Sequence, residues 1–417
     1  MTTCETHRTI EGIWTVESAK IIAGVARIVQ DVSIAEDLSQ EALVIALEKW
    51  PESGIPEKPG AWLMTVAKRR AIDLLRRNKL RDQKYVEISR NIESKMKYDY
   101  DSIDEEINDD LLRLIFTTCH SVLSRESRVA LTLKLLCGLK TVEIAQAFLV
   151  SESTIAQRIV RAKRTLSASK VTIEVPDGPE LLRRLSSVLE VIYLMFNEGY
   201  VATGGENWIR PTLCYEAIRL GRILAEVLPG EPEVHGLLAL MEIQASRFKA
   251  RIGTSGEPIL LMDQNRALWD SLLIHRGFSA LKRIEQIGGS YGPYSLQASI
   301  AACHARARTA SETDWQGISA LYDALVQVAP SPIVELNRAV AISMAYGPAS
   351  GLVIVDALED DPFLKNYHLL PVVRGDLLVK LGRNEEACAE FKRAASFTQN
   401  KQERTFLLKR ATDCVKI

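Results

Sequence analysis

The stretch Leu139–Leu166, LKTVEIAQAFLVSESTIAQRIVRAKRTL, reads as two helices meeting at a tight corner. Ile144, Ala145 and Phe148 gather on one side of a short first helix, for which Thr141 offers an N-cap hydroxyl. Val150 packs the corner, and Ser151 caps a second helix whose inward face is Ile155, Ile159 and Ala162. The outward face presents Ser153, Thr154, Gln157, Arg158, Arg161 and Arg164. Hydroxyls and Gln can hydrogen-bond base edges, Arg can pair bidentately with guanine, and a basic helix end can neutralise phosphates. Together they predict a DNA-reading helix-turn-helix. A solvated amphipathic helix in an ordinary bundle would show the same polar face, so the reading depends on what surrounds it.

At 417 residues the chain has room for two to four domains, each with its own core. Its formal net charge is -1, so any nucleic-acid contact must come from local basic surface rather than an overall cationic excess. The seven cysteines, Cys4, Cys119, Cys137, Cys214, Cys303, Cys388 and Cys414, form no Cys-x-x-Cys pair, which argues against a disulfide framework or zinc ribbon and for reduced thiols. The first residues, with Cys4, Glu5, His7, Arg8 and Glu11, do not open like a secretion leader, and no stretch stays apolar for the length of a membrane span. A cytoplasmic protein without membrane contact is expected.

Toward the N-terminus, Val16 to Val32 carries Ile21, Ile22, Val25, Ile28 and Val29 at helical spacing, and Ser33 to Trp50 repeats the pattern with Leu38, Ala42, Ile45, Ala46 and Trp50. A loop with Pro51, Gly54, Pro56, Pro59 and Gly60 follows, then AWLMTVAKRRAIDLLRRNKLRDQK (Ala61–Lys84). Trp62, Leu63, Val66, Ile72 and Leu75 give this helix a packing stripe, while Lys68, Arg69, Arg70, Arg76, Arg77, Lys79 and Arg81 make a basic surface suited to phosphates. Asp73 within it suits pairing with Arg69, Arg76 or Arg77 better than catalysis. The acidic run Tyr98–Asp110, YDYDSIDEEINDD, should stay extended or weakly helical through self-repulsion, either occupying a nucleic-acid channel or serving as a soluble linker. Leu111 to Cys137 reads as two more helices, with a start at Leu123 to Glu126 and Val129, Leu131, Leu133, Leu135 and Leu136 as core.

In order, these segments resemble bacterial sigma factors of the extracytoplasmic-function group, the promoter-specificity subunits of RNA polymerase. AEDLSQEALVIALEKW (Ala35–Trp50) is similar to the segment that binds core polymerase, which implies Asp37, Leu38, Gln40 and Glu41 at that contact. AWLMTVAKRRAIDLLRR is similar to the helix that captures and melts the −10 element, which implies Trp62, Lys68, Arg69, Arg70, Arg76 and Arg77. The helix-turn-helix is similar to the domain that reads the −35 element, with Ser151, Ser153, Thr154, Gln157, Arg158, Arg161 and Arg164 as contacts. Arg69 takes the place of an Asn found in many members, and Leu149 that of a common corner Gly.

A minimal factor of this kind would end near Ser169. Here Val171–Glu180, VTIEVPDGPE, marks a boundary instead, followed by helical periodicity over Leu181 to Phe196, Thr212 to Val227, Glu233 to Arg251, Gln264 to Ile287, Tyr294 to Ala307, Trp315 to Val328 and Ile333 to Ala345. Near the end, Gly375, Leu378, Gly382, Ala387, Phe391 and Ala394 occupy tetratricopeptide-like positions; Gly347 precedes Gly382 at about one repeat length, and Gln399 stands where a closing Pro is usual. No active-site motif appears. His235, His275, His304 and His368 lack metal-ligand spacing, and Asn197-Glu198-Gly199-Tyr200, with Gly204-Gly205 beyond, is explained as a helix stop. The resemblance continues through Leu213–Arg247, MDQNRALWD (Met262–Asp270), GPYSLQASIAACHA (Gly292–Ala305) and SPIVELNRAVA (Ser331–Ala341), pointing to the subgroup with a long tetratricopeptide-like extension.

The expectation is an all-α protein: a sigma region 2 domain over residues 1-88, an acidic linker over 89-110, a region 4 helix-turn-helix domain over 111-170, a linker over 171-180, and a helical tetratricopeptide-like solenoid over 181-417. Its partners would be core RNA polymerase and promoter DNA, with a regulatory protein or ligand on the solenoid. No catalytic residue, metal or cofactor is expected. Two rivals remain open: a helix-turn-helix regulator with a solenoid sensor that acts without replacing sigma, and a helical enzyme whose site would show as polar residues converging in the C-terminal half.

Overall fold

The computed structural model describes residues 3–79, 103–148, 150–176, 178–201, 209–253, 258–288, 291–398 and 400–414. Arg81, residues 98–102 of the acidic run, Leu149, Gly204, Gly205 and Gln399 lie outside them. The fold is all-α: the described residues form eighteen α-helices, short 3₁₀ turns, and one antiparallel bridge between Ile252 and Pro258. The chain divides into two compact units, Met1–Leu194 and Met195–Ile417.

In the first unit, α1 (Thr3–Val29), α2 (Val32–Ser53) and α3 (Pro59–Lys79) pack pairwise. The periodicity located the core: Ile21, Ile22, Val25, Ile28, Leu38, Ala42, Ala46, Trp50, Leu63 and Ile72 are buried. Asp31 starts α2 by accepting from the backbone N–H of Ser33 (2.8 Å) and Ile34 (3.1 Å). Pro51, expected in the loop, belongs to the last turn of α2, which ends at Gly54 in a left-handed conformation, φ 83°. Of the two conformations expected for the acidic run, extended or weakly helical, its described part takes the helical one, as the first two turns of α4 (Ile103–Thr118). Asp109 pairs with Arg113 one turn on, at 2.5 Å, and Asp110 with Arg27 of α1, at 2.9 Å, so cations offset the charge of these two.

α5 (Arg125–Leu135) starts at Ser124, whose hydroxyl accepts from Ser127 N–H at 3.3 Å, and buries Val129, Leu131, Leu133 and Leu135. α6 (Thr141–Phe148) and α7 (Glu152–Ala168) form the helix-turn-helix on this platform. The boundary expected near residue 181 is absorbed into α8 (Gly178–Tyr200), whose first part docks on the platform. There Ser187 donates to the Cys119 carbonyl (2.9 Å), and Glu190 pairs with Arg125 (3.1 Å) and Arg128 (3.4 Å).

The second unit takes over within α8 and continues through α9 (Pro211–Val227), α10 (Pro232–Ala245), α11 (Ser271–Ile287), α12 (Pro293–Arg306), α13 (Trp315–Val328), α14 (Pro332–Tyr346), α15 (Pro348–Ala357), α16 (Leu369–Lys380), α17 (Asn384–Phe397) and α18 (Lys401–Asp413). α10 is buried nearly all round, between α9, α11 and α12, which suits its unbroken apolar run. Two expected helices are shorter than their periodicity. The first stops at Ala245 before a 3₁₀ turn at Phe248–Ala250, and the second starts at Ser271, where Asp270 accepts from Leu272 and Leu273 N–H. The last helices pack as consecutive neighbours around Leu336, Leu370, Leu378, Ala387, Phe391 and Ala394. Among the described residues no helix is long and apolar enough to cross a membrane, and no three His, Cys, Asp or Glu side chains gather as a metal site.

Candidate nucleic-acid interface

The helix-turn-helix is built from its apolar face outward. On α6 Ile144, Ala145 and Ala147 are buried and Phe148 is only half-buried, so Ala147 takes the inward place expected of Phe148. Thr141 is the first helical residue rather than the cap. The helix start is satisfied instead by Glu143, whose carboxylate accepts from Lys140 N–H at 2.6 Å. Val150 is half-buried and closes the corner by donating its N–H to the Ala145 carbonyl at 3.1 Å.

α7 follows its expected faces: Ile155, Ile159, Ala162 and Leu166 are buried. Ser153, Gln157, Arg161 and Arg164 are exposed, while Thr154 and Arg158 are half-buried. Ser151, itself exposed, is committed within the protein. Its Oγ accepts from Thr154 N–H at 3.1 Å and lies 2.8 Å from Ser153 Oγ and 2.7 Å from Thr154 Oγ1. Arg158 and Arg125 flank Glu126, whose carboxyl is held below its ordinary range first by its own backbone N–H, then by Ser124 and these cations. The outward face of α7 is thus a row of hydrogen-bonding and cationic side chains of the kind that can read base edges.

A second basic surface lies on α3. Leu63, Ala67, Ala71 and Ile72 hold the helix to the core, and Arg69, Arg70, Arg76 and Arg77 are exposed, with Lys68 half-buried. Trp62 is half-buried, edge-on to the buried Trp50 of α2 with ring centroids 5.2 Å apart. That packing fixes the indole beside the cationic surface, giving stacking area next to charge.

Of the residues proposed on α2, Asp37, Gln40 and Glu41 are exposed. Leu38 is 8% exposed, a core residue of the free protein, so its side chain is withdrawn from that surface. Gln40 donates to Glu36 at 3.3 Å, and Glu41 lies 3.8 Å from Arg70 in an exposed, weak pair. Glu36 itself escaped the sequence reading. It is 5% exposed and pairs with Lys163 of α7, tying α2 to the helix-turn-helix. A partner 127 residues away leaves no trace in local periodicity.

Three segments match family models: residues 18–81 match sigma-70 region 2, residues 113–166 match sigma-70 region 4, and residues 184–285 match a family of unknown function, DUF6596. The chain is also 39% identical over 383 residues to the uncharacterized protein R00370 of Rhizobium meliloti (strain 1021), covering 91% of this chain and 90% of that protein. No solved structure matches.

Proposed function

This chain belongs to the sigma-70 family as a factor like those of the extracytoplasmic-function group with a C-terminal extension, and we propose that it directs core RNA polymerase to specific promoters. The observation that carries this reading is the presence, in one compact unit, of two separate exposed surfaces of cationic and hydrogen-bonding side chains, the arginines of α3 and the outer face of α7. A simple operator binder has no need of the first.

In this reading Asp37, Gln40 and Glu41 engage core polymerase. Ser153, Thr154, Gln157, Arg158, Arg161 and Arg164 read the −35 region, with Ser151 serving them as the helix cap. Trp62, Lys68, Arg69, Arg70, Arg76 and Arg77 capture the opened −10 strand. No covalent chemistry is assigned. Strand opening draws on core binding, phosphate neutralisation and stacking of unstacked bases. The second unit would set availability of the promoter-binding surfaces, and the site of action is the cytoplasm, where the polymerase works.

The test is run-off transcription with sigma-free bacterial core on promoters selected from the host genome. Specific transcripts are expected, and they should be lost in Asp37→Lys/Gln40→Ala, whose side chains are exposed and spare the fold. Absence of core binding, with the protein alone shifting duplex DNA, would replace this reading by a helix-turn-helix regulator.

A further inference from the structure

Three sequence stretches that the promoter reading leaves unused, Asn197–Tyr200, Met262–Asp270 and Gly292–Ala305, meet in the second unit. Gly199 is not a helix stop. It lies within the last turn of α8, where a Cβ would sit 2.8 Å from the Arg210 carbonyl and 2.7 Å from Cys214 Sγ. The close approach seats Tyr200, which stacks on Phe196 with ring centroids 5.5 Å apart. Over the Tyr200 ring lies Arg251, 3.5 Å from the centroid, only 4% exposed and donating to the Tyr200 carbonyl at 2.5 Å. Arg247 donates to the Tyr200 hydroxyl and to Gln244, and its guanidinium carbon is 5.8 Å from the Trp269 ring centre. Arg266 approaches the same ring, at 5.0 Å, and donates to the carbonyls of His304 (2.5 Å) and Ala307 (2.7 Å) and to Thr313 Oγ1 (3.1 Å).

Among the described residues, the charge and hydrogen bonds around Arg247, Arg266 and Trp269 do not close. Arg247 and Arg266 have neutral hydrogen-bond partners, and neither forms an ion pair with a carboxylate among the described residues; exposed Glu312 acts on Arg266 only through its field. Buried side-chain atoms without a hydrogen-bond partner also concentrate here: Arg266 Nε, Trp269 Nε1 and His304 Nδ1, with Gln264 Oε1 close in sequence. Trp269 is 7% exposed, so its indole N–H is held away from bulk solvent. Burial, then Arg247 and Arg266, push His304 down to about 4, leaving a neutral imidazole among cations. Planar guanidinium groups set against an aromatic ring, beside buried polar atoms without partners, are the chemistry that takes up an oxyanion.

We propose that Arg247, Arg266, Trp269 and His304, backed by Arg251 and Tyr200, form a binding site for a small molecule bearing an oxyanion, either a phosphoryl or a carboxylate group. The anion would supply the missing counter-charge and accept from the orphaned N–H groups. The site lies within the second unit, and its test reads binding, so it stands or falls separately from the promoter reading.

The experiment uses the full chain with ¹⁵N-labelled tryptophan, whose six indole N–H signals include Trp269, assigned by its loss in Trp269→Phe. Inorganic phosphate and succinate are titrated separately at constant ionic strength against chloride. A saturable shift of the Trp269 signal with phosphate alone identifies the phosphoryl group, and one with succinate alone the carboxylate. Arg247→Gln should weaken either at least about tenfold, while Arg383→Gln, an exposed arginine elsewhere, should not. On the unmodified protein, the saturating anion should also raise the His304 titration midpoint. An unmoved indole signal and an unmoved His304, or the same shift with chloride, would overturn the site.

Discussion

Ser151 and Asp110 show how much one side chain can be asked to do. The Ser151 hydroxyl is already engaged with Thr154 N–H, Ser153 and Thr154, which makes it a helix cap ahead of a base reader. Ser151→Ala should therefore lower stability by about 1 kcal/mol in urea unfolding, while Ser153→Ala, outside the cap bond to the backbone, should cost only a few tenths. Asp110 has its carboxyl raised to about 6 by burial, against the lowering effects of Arg27, Arg113 and Lys68. Because the folded pKa lies above the ordinary value of 3.8, the native state binds the proton more tightly. Stability from this group is full below about pH 4 and is lost as pH rises through about 6, by up to roughly 3 kcal/mol. Asp110→Asn should flatten that dependence between about pH 4 and 7, measured by denaturant midpoints; an unchanged profile would place the titration elsewhere.

At the scale of elements, the sequence was most legible where periodicity alone decides burial. α13 runs over Trp315–Val328 as its spacing predicts, and the buried faces of α5 and α7 are those expected, as are those of α1 and α2 except for half-buried Val29 and Ile45. The errors fall at ends. Whether Thr141 caps α6 or begins it depends on Glu143 reaching back to Lys140, a competition between two nearby groups that residue type does not resolve. Residue type left the acidic run open between extended and weakly helical, because Arg27, the cation that meets Asp110 of α4, belongs to another helix. The pairing of α16 with α17 rests on a close approach: a Cβ at Gly375 would lie 2.8 Å from Phe391 Cε1, and Phe391 is fully buried. Gly375→Ala should destabilise the protein by about 1–3 kcal/mol through overpacking, visible as a lower melting temperature, whereas Gly382→Asn in the following turn should be tolerated better, since Asn accepts a positive φ.

For the whole molecule, a formal charge of -1 leaves promoter binding to local basic surface such as the exposed arginines of α3 and α7, and makes it salt-sensitive. Replacing Arg69, Arg70, Arg76 and Arg77 by Gln should leave the fold intact, since all four are exposed, and should reduce the slope of log affinity against log salt by roughly 0.7–0.9 for each phosphate no longer neutralised. Holoenzyme binding to promoter DNA across a salt series checks this; an unchanged slope would move phosphate neutralisation off α3. Truncation must likewise respect the whole. Cutting after Ser169 would strip away the part of α8 that Ser187 and Glu190 anchor to the helix-turn-helix platform, so a cut beyond Tyr200 is the cleaner probe of the second unit.

By itself, the sequence determined the all-α class and most of the inward faces of its helices, because apolar spacing is a short-range property of the chain, and its resemblance to sigma factors supplied the order of the two modules. Tertiary structure alone decided what distant residues do to one another. It buried Leu38 and bonded Glu36 to Lys163. It also gathered Tyr200, Arg247, Arg266, Trp269 and His304 from four separate stretches into one cluster. Such pairings cost chain entropy that only a completed core can offset, and no local pattern records them.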